Sequence, residues 1–163
     1  MLTIRKATPA DLGAITGIYN EAILKTTATF DTEPKTEDEQ KSWFEHHGPR
    51  YPILVAQENN LIVGWASLSQ WSDRCAYSDT AEASVYVMEE YQGRGIGRKL
   101  SEAIIEAGRE AGLHTLIARI TSENKTSIHL SESVGYWHIG VMKECGRKFG
   151  KLLDVSLMQY IYE

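Results

Sequence analysis

The sequence predicts one mixed α/β domain, in which a β-sheet carries helices on its faces. Two observations lead to this prediction. Short apolar segments with strand periodicity alternate along the 163 residues with longer segments of helical periodicity. No internal repeat and no linker rich in proline, glycine or serine divides the chain, and its length is that of a single domain. We therefore predict one domain over residues 1–163.

Two segments in the first quarter of the chain carry the residues that begin a helix. Thr8 is a capping residue, followed by Pro9 at the first helical position and by the acid Asp11 three residues after the cap. Thr36 and Glu39 repeat the cap and the acid. We predict a long helix after Thr8 and a shorter one after Thr36.

The strands are predicted from apolar runs and from alternation. The clearest pair is a hairpin, because two apolar segments flank the turn residues Asn59 and Asn60. Further on, Glu82, Ser84 and Tyr86 alternate with apolar residues, so they share one face of a strand. In chain order we predict strands over residues 3–7, 52–56, 61–66, 81–87, 115–120 and 155–161, a long helix that ends at Gly112, and a last helix over residues 124–134.

Charge and cysteine content exclude several classes of function. The net charge of −5 comes without a basic tract, unlike proteins that bind nucleic acid or anionic membranes. Cys75 and Cys145 lie 70 residues apart and fit neither the spacing of a metal site nor a disulfide framework. Two free thiols, with no apolar segment that would serve as a signal peptide or membrane span, predict a cytoplasmic protein.

The most informative segment joins the strand over residues 81–87 to the long helix. It reads Gln-Gly-Arg-Gly-Ile-Gly from Gln92 to Gly97. A glycine-rich turn between a strand and a helix presents backbone N–H groups to phosphate, and the helix dipole favours the negative charge. Arg98 stands where a dinucleotide fingerprint needs its third glycine, and Lys99 lacks the flanking residues of a nucleoside triphosphate loop. The alternative is a glycine-rich turn that binds no ligand.

The spacing Gln-x-x-Gly-x-Gly at Gln92, Gly95 and Gly97 resembles the pyrophosphate loop of the acetyl-CoA-dependent N-acetyltransferases of the GNAT superfamily. This resemblance implies a mixed, mostly antiparallel, twisted sheet flanked by helices. Within the superfamily, the chain is most similar to the phosphinothricin and methionine sulfoximine acetyltransferases. The segments that carry the similarity to this branch follow one another in the expected order at residues 18–20, 27–30, 51–56, 82–87 and 149–154. Residues 4–11, Asn124, Ser127 and residues 135–136 add to the resemblance to the superfamily.

The resemblance implies transfer of an acetyl group from acetyl-CoA directly to the amine of a small amino-acid-like substrate, such as phosphinothricin or methionine sulfoximine. No metal is implied. The residues that it implies for acetyl-CoA binding are Val85, Tyr86, Val87, Gln92, Gly93, Arg94, Gly95, Ile96, Gly97, Arg98, Asn124 and Ser127.

Acetyl transfer needs a neutral amine, a polarised carbonyl and a thiolate that can leave. The resemblance implies that the N–H of Val87 polarises the thioester carbonyl and that Glu82 is the base that faces the amine. A free glutamic acid has a pKa of about 4.3, far below that of an alkylammonium ion, so we expect Glu82 to act through a water molecule. The alternative for Glu82 is a solvated carboxylate at the start of a strand.

Position 131 departs from the family pattern. Relatives usually carry histidine or tyrosine seven residues after the helix asparagine, where this chain has Ser131. His129 lies about 200° around a helix from that position and cannot replace it. Either Ser131 hydrogen-bonds the departing sulfur, or no side-chain acid is needed, because a thiolate is a tolerable leaving group.

The segment after the hairpin is where the resembling enzymes bind their substrate. We expect Arg74 to hold a carboxylate or phosphinate through two hydrogen bonds, and Trp71 and Tyr77 to shape the pocket. Phe30 and the turn at residues 148–149 are expected to complete its wall. The alternative for Arg74 is an arginine of a surface loop.

Two other functions stay open at this stage. A protein N-terminal or lysine acetyltransferase would need an open groove, and a catalytically weakened acyl-CoA-binding module is kept open by Ser131. The resemblance also implies a homodimer, since enzymes of this branch are commonly dimeric. No nucleic-acid or membrane partner is expected.

Overall fold

The computed structural model describes all residues from Met1 to Glu163. The strands are β1 (Leu2–Lys6), β2 (Ile53–Glu58), β3 (Leu61–Gln70), β4 (Thr80–Val87), β5 (Thr115–Thr121), β6 (Trp137–Lys148) and β7 (Lys151–Ile161), and the helices are α1 (Leu12–Lys25), α2 (Glu37–Glu45), α3 (Ile96–Glu110) and α4 (Lys125–Ser133). All seven strands form one sheet in the order β1-β2-β3-β4-β5-β7-β6. Every neighbouring pair is antiparallel except β4 and β5. The predicted fold class is confirmed.

The predicted helix starts and the predicted hairpin are confirmed. Thr36 accepts a hydrogen bond from the backbone N–H of Glu39 at 3.2 Å, and the Glu39 side chain bonds back to the cap. The segment after Thr8 first makes a short 3-10 turn and continues as α1. Asn59 and Asn60 have φ values of 51° and 65°, the left-handed conformation that a tight hairpin turn requires.

One strand was absent from the sequence prediction. Residues 137–148 form β6, and β7 begins at Lys151, four residues before the predicted start at Val155. Strand β6 is an edge strand that pairs only with β7, and its register breaks at His138/Gly140 and Met142/Gly146. Most of its side chains are exposed. Apolar and other residues do alternate from Trp137 to Val141, a strand signal that the prediction missed, but the alternation ends at Met142.

The core has one layer on each face of the sheet. Leu100 and Ile104 of α3 pack in a cluster of 16 buried residues on one face. On the other face, Ile15 of α1 lies in a smaller cluster with Val55 and Trp65, against which α2 packs. Full burial of one such side chain contributes roughly 1.5–3 kcal/mol, so these two layers fix both helices and sheet. None of the helices is long and apolar enough to cross a lipid bilayer.

The parallel pair β4 and β5 opens a fork in the sheet. The two strands are paired only from Thr80 to Glu82, with Glu82 opposite Ile117 as the last pair. Both strands continue beyond this point, to Val87 and Thr121. From residue 83 onward, β4 therefore has β3 on one side and an unpaired edge on the other.

Candidate active site

A single large cavity of about 1080 Å³ lies at the fork. Its walls are β4, β5, the glycine loop, the start of α4 and the segment of residues 26–31 that follows α1. Small-molecule sites usually enclose about 300–1,000 Å³, so this cavity lies at the upper end of that range and has room for a large ligand.

The unpaired edge of β4 directs backbone groups into the cavity. The N–H of Met88 donates to the carbonyl of Val63 in β3 at 2.8 Å. Because successive residues of a strand point their N–H groups to opposite sides, the N–H groups of Val85 and Val87 point to the open edge. The side-chain amide of Gln92 donates to the carbonyl of Val87 at 3.1 Å, which fixes the end of this edge.

The glycine loop supplies further N–H groups. Gly93 and Gly95 have φ values of 78° and 83°, a conformation that favours glycine. In α3, the N–H of Lys99 bonds back to the carbonyl of Gly95 at 3.1 Å, so the N–H groups of the preceding residues of the first turn have no partner within the helix. Together with the helix dipole, they form a site for an anion.

Glu82 lines the cavity at the last paired position of β4. Its carboxylate accepts two hydrogen bonds from Arg119 of β5, from Nε to Oε2 and from a terminal nitrogen to Oε1, both at 2.7 Å. The Glu82 side chain is 21% exposed and the Arg119 side chain 50%. These hydrogen bonds raise the pKa of Arg119 further above its usual value. Arg119 was not predicted as a site residue from the sequence, because its partner Glu82 lies 37 residues away and no motif joins the two.

Helix α4 places three predicted residues on the cavity wall. Asn124 caps the helix and accepts a hydrogen bond from the N–H of Ser127 at 3.2 Å. Two turns further along, Ser131 is 8% exposed and lines the same cavity. The side chain of His129 is 80% exposed and lies near Glu132, and His129 does not line the cavity.

A polar cluster that was not foreseen holds the segment of residues 26–31. The hydroxyl of Tyr19 contacts Thr29, at 3.0 Å, and Asp31. The buried ammonium of Lys148 donates to the carbonyl of Thr29 at 2.7 Å, and burial lowers the pKa of this lysine. Burial also raises the pKa of Tyr19. These contacts hold the residues on either side of Phe30, which lines the cavity. The role of Phe30 in the acceptor wall stays a prediction.

Several predicted residues lie outside the cavity lining. In the glycine loop, Ile96 is buried in the core, and Arg94 stacks on the ring of Tyr91 at 4.7 Å. In the acceptor segment, neither Arg74 nor Tyr77 lines the cavity, and both are exposed. The roles of these residues in binding stay predictions.

Trp71, the third residue predicted for the acceptor segment, also lies outside the cavity lining. Its ring is 5.5 Å from the guanidinium of Arg119. Trp71 therefore packs behind a residue of the cavity wall, and its role in substrate binding stays a prediction.

Comparison with known proteins identifies the family. The acetyltransferase (GNAT) domain matches residues 4–157. The chain belongs to the GNAT acetyltransferases. It is 40% identical to the L-amino acid N-acyltransferase MnaT of Escherichia coli over 159 residues, which is 97% of this chain and 92% of that protein. It is also 36% identical to a phosphinothricin N-acetyltransferase of Streptomyces coelicolor, over 94% of this chain and 92% of the relative.

Solved structures of GNAT acetyltransferases have the same fold. An acetyltransferase of Salmonella typhimurium, yncA, determined with acetyl-CoA, superimposes with a TM-score of 0.97 at 39% identity and covers 100% of this chain and 95% of that one. A phosphinothricin acetyltransferase of Sinorhizobium meliloti, in complex with acetyl-CoA, gives a TM-score of 0.95 at 34% identity, over 98% of this chain and 88% of that one.

The GNAT cavity of this chain fits acetyl-CoA, the co-substrate of the family. A thioester with a long amide-containing arm and a pyrophosphate needs a row of backbone hydrogen-bonding groups and an anion site. The open edge of β4 and the first turn of α3 supply both, and they lie in one cavity. The structure has no group of three or more His, Cys, Asp or Glu side chains that would hold a metal ion.

Proposed function

We propose that this GNAT acetyltransferase transfers the acetyl group of acetyl-CoA to the amino group of a small L-amino acid or amino-acid-like compound. The observation that carries the proposal is the position of Glu82. It lies where β4 separates from β5, so its carboxylate shares one cavity with the open strand edge and the glycine loop. Relatives named as acyltransferases or acetyltransferases of L-amino acids, methionine sulfoximine and phosphinothricin support this acceptor class.

Each requirement of the reaction has a residue in the proposal. Acetyl-CoA supplies the activated acetyl group as a thioester. The N–H of Val87 donates to the carbonyl oxygen, on which negative charge develops in the transition state, and Gln92 fixes this strand end. Glu82 accepts the proton of the acceptor amine through a water molecule. The neutral amine then attacks the carbonyl carbon directly, without an acetylated enzyme.

The role of Ser131 is to donate a hydrogen bond to the sulfur as it leaves. Ser131 is buried and lines the cavity. A thiol has a pKa of about 8.5, so the thiolate departs with little help. We therefore expect a small contribution from Ser131, and a seryl side chain at this position is compatible with turnover.

A set of different acceptors distinguishes this proposal from a protein acetyltransferase and from an acyl-CoA-binding module. Release of free thiol from acetyl-CoA is followed with L-amino acids, with methionine sulfone and phosphinothricin, and with peptides that carry a free N-terminus or lysine. The proposal predicts release with small amino acids alone. Release with peptides only indicates a protein acetyltransferase, and binding of CoA without release from any acceptor indicates an acyl-CoA-binding module.

We further propose that the chain acts as one domain, 1–163, in the cytoplasm and forms a homodimer. Cys75 and Cys145 are free and exposed, which suits a reducing compartment. The apolar side chains of Trp137, Ile139 and Val141 are 45%, 46% and 44% exposed on the edge strand β6. An exposed apolar edge strand is a surface on which a second copy can pair.

A further inference from the structure

Arg119 lines the cavity beside Glu82, and the mechanism above does not use it. Strand alternation explains its position. Ile117 is the partner of Glu82 in the parallel register, and Arg119, two residues further, lies on the same face of β5. Arg119 is thus the first residue of β5 on this face beyond the fork. Its guanidinium holds both carboxylate oxygens of Glu82.

The guanidinium of Arg119 is accessible to a ligand. Its side chain is 50% exposed, and it lies over the ring of Trp71, at 5.5 Å. Stacking on an aromatic ring holds the guanidinium plane while leaving its N–H groups free to change partner. The other arginine of the cavity wall, Arg98, belongs to the first turn of α3 and pairs with Glu102 at 2.8 Å. Among the cations of this chain, Arg119 alone forms an ion pair with Glu82.

We propose that Arg119 binds the carboxylate of the acceptor and so selects amino acids over amines and amides. This inference rests on the proposed function. An amino acid carries an ammonium and a carboxylate on the same carbon. Inserted between Glu82 and Arg119, it gives an alternating row of charges in which each charge of the enzyme keeps a partner. Arg119 exchanges one carboxylate for another, and Glu82 becomes available to the amine.

An acceptor without a carboxylate cannot give Arg119 a replacement for Glu82. Its ammonium competes with Arg119 for Glu82, and the guanidinium loses its anion if the amine succeeds. Hydrogen bonds to charged groups contribute enough to change an equilibrium by about ten- to a hundredfold. Selection of the acceptor and release of the base are therefore one event, because Glu82 leaves Arg119 when the acceptor carboxylate arrives.

The test compares two acceptors, one with a carboxylate and one with a neutral carboxamide in its place. The ratio of kcat/KM for L-methionine sulfone to kcat/KM for its carboxamide is measured with acetyl-CoA at saturation. The wild type should favour the acid by at least about tenfold, and Arg119→Ala should lower the ratio by about ten- to a hundredfold. A merely structural role, in which Arg119 only holds Glu82, lowers both values and leaves their ratio unchanged. Arg119→Lys should retain part of the preference, because it keeps the charge without the fork.

Arg50→Ala removes an ion pair with Asp79, of 2.7 Å, outside the cavity and should keep the wild-type ratio. Equal use of both acceptors by the wild type, or loss of the preference in Arg74→Ala and not in Arg119→Ala, overturns the assignment and leaves the proposed function intact. No thiol release by the wild type with any L-amino acid overturns the proposed function and this assignment with it. Where Arg119→Ala does not fold, the wild-type ratio and that of Arg119→Lys decide.

Discussion

Glu82 is the base in the proposed mechanism. We expect Glu82→Gln to keep the shape of the side chain and lose its basicity, and kcat to fall by at least about 100-fold at neutral pH. The defect should shrink as pH rises, because more of the acceptor amine is then already neutral. The measurement is kcat against pH for the wild type and the variant. Glu106→Gln, whose partner Arg109 lies on the exposed side of α3, is the matched control and should retain the wild-type kcat.

We expect substitutions of Ser131 to have little effect on kcat. Ser131→Ala should cost far less than Glu82→Gln, because the thiolate leaves with little help. Ser131→His should leave kcat equal or higher, since the family resemblance implies histidine at this position. A near-wild-type kcat for Glu82→Gln at neutral pH, together with a large loss in Ser131→Ala, would show that the two roles are reversed.

The sequence identifies some site residues and not others for a physical reason. Glu82 lies in a strand motif, and its place in the cavity follows from that strand. Arg119 is joined to Glu82 by parallel pairing of two distant strands, which no local pattern records. Arg74 was assigned to the acceptor by its position in the chain, yet its loop is exposed outside the cavity.

We propose that acetyl-CoA binding depends on the glycine loop. Gly95→Val should raise the KM for acetyl-CoA, because a β-branched residue resists the left-handed φ of 83° and shifts the N–H groups of the loop. The strain should cost about 1–2 kcal/mol of stability, which leaves the protein folded. The measurements are KM for acetyl-CoA and thermal melting.

The matched control has the same strain elsewhere. Gly112 has a φ of 80° after α3, and a Cβ there would also meet nothing within 4 Å. Gly112→Val should therefore lower the melting temperature by a similar amount without raising KM. An unchanged KM in Gly95→Val, or an equal rise in both variants, contradicts the role of the loop.

Sequence patterns predict a helix or a turn when neighbouring residues are enough to cause it. The start of α2 at Thr36 is a capping box, and the hairpin turn needs left-handed residues at Asn59 and Asn60. Both can therefore be predicted from a few neighbouring residues. Strand β6 has such a signal only at its end, where Phe149 and Gly150 have φ values of 52° and 76° in the turn to β7. It is held by β7 along an irregular register, with Glu144 in a left-handed conformation at the break.

The whole molecule presents an apolar edge that a second copy would cover. We expect the protein to be a dimer by light scattering at micromolar concentration, and Trp137→Asp to make it monomeric, because a charge would lie in the apolar contact. Leu61→Asp is the control. Leu61 is 44% exposed, similar to Trp137, but it lies at the β2–β3 turn, so this variant should stay dimeric. A monomeric wild type removes the proposal.

The topology of the whole sheet is also beyond local prediction. Alternation of strands and helices predicts the class of fold, but the parallel meeting of β4 and β5 follows from how α3 crosses the sheet and packs its apolar face on β2 and β3. Beyond Glu82 the two strands no longer pair, which leaves the open edge of β4 on the wall of the cavity. The site is therefore a property of the fold, to which the motifs contribute single side chains.

The most direct test of the central claim is to identify the product. The wild type is incubated with acetyl-CoA and L-methionine sulfone, and the N-acetylated amino acid and free CoA are quantified together by mass spectrometry. Direct transfer predicts equal amounts of the two, both abolished without the acceptor, and a protein of unchanged mass. CoA released without N-acetylated product, or an acetylated protein that forms before the acceptor is added, would contradict it.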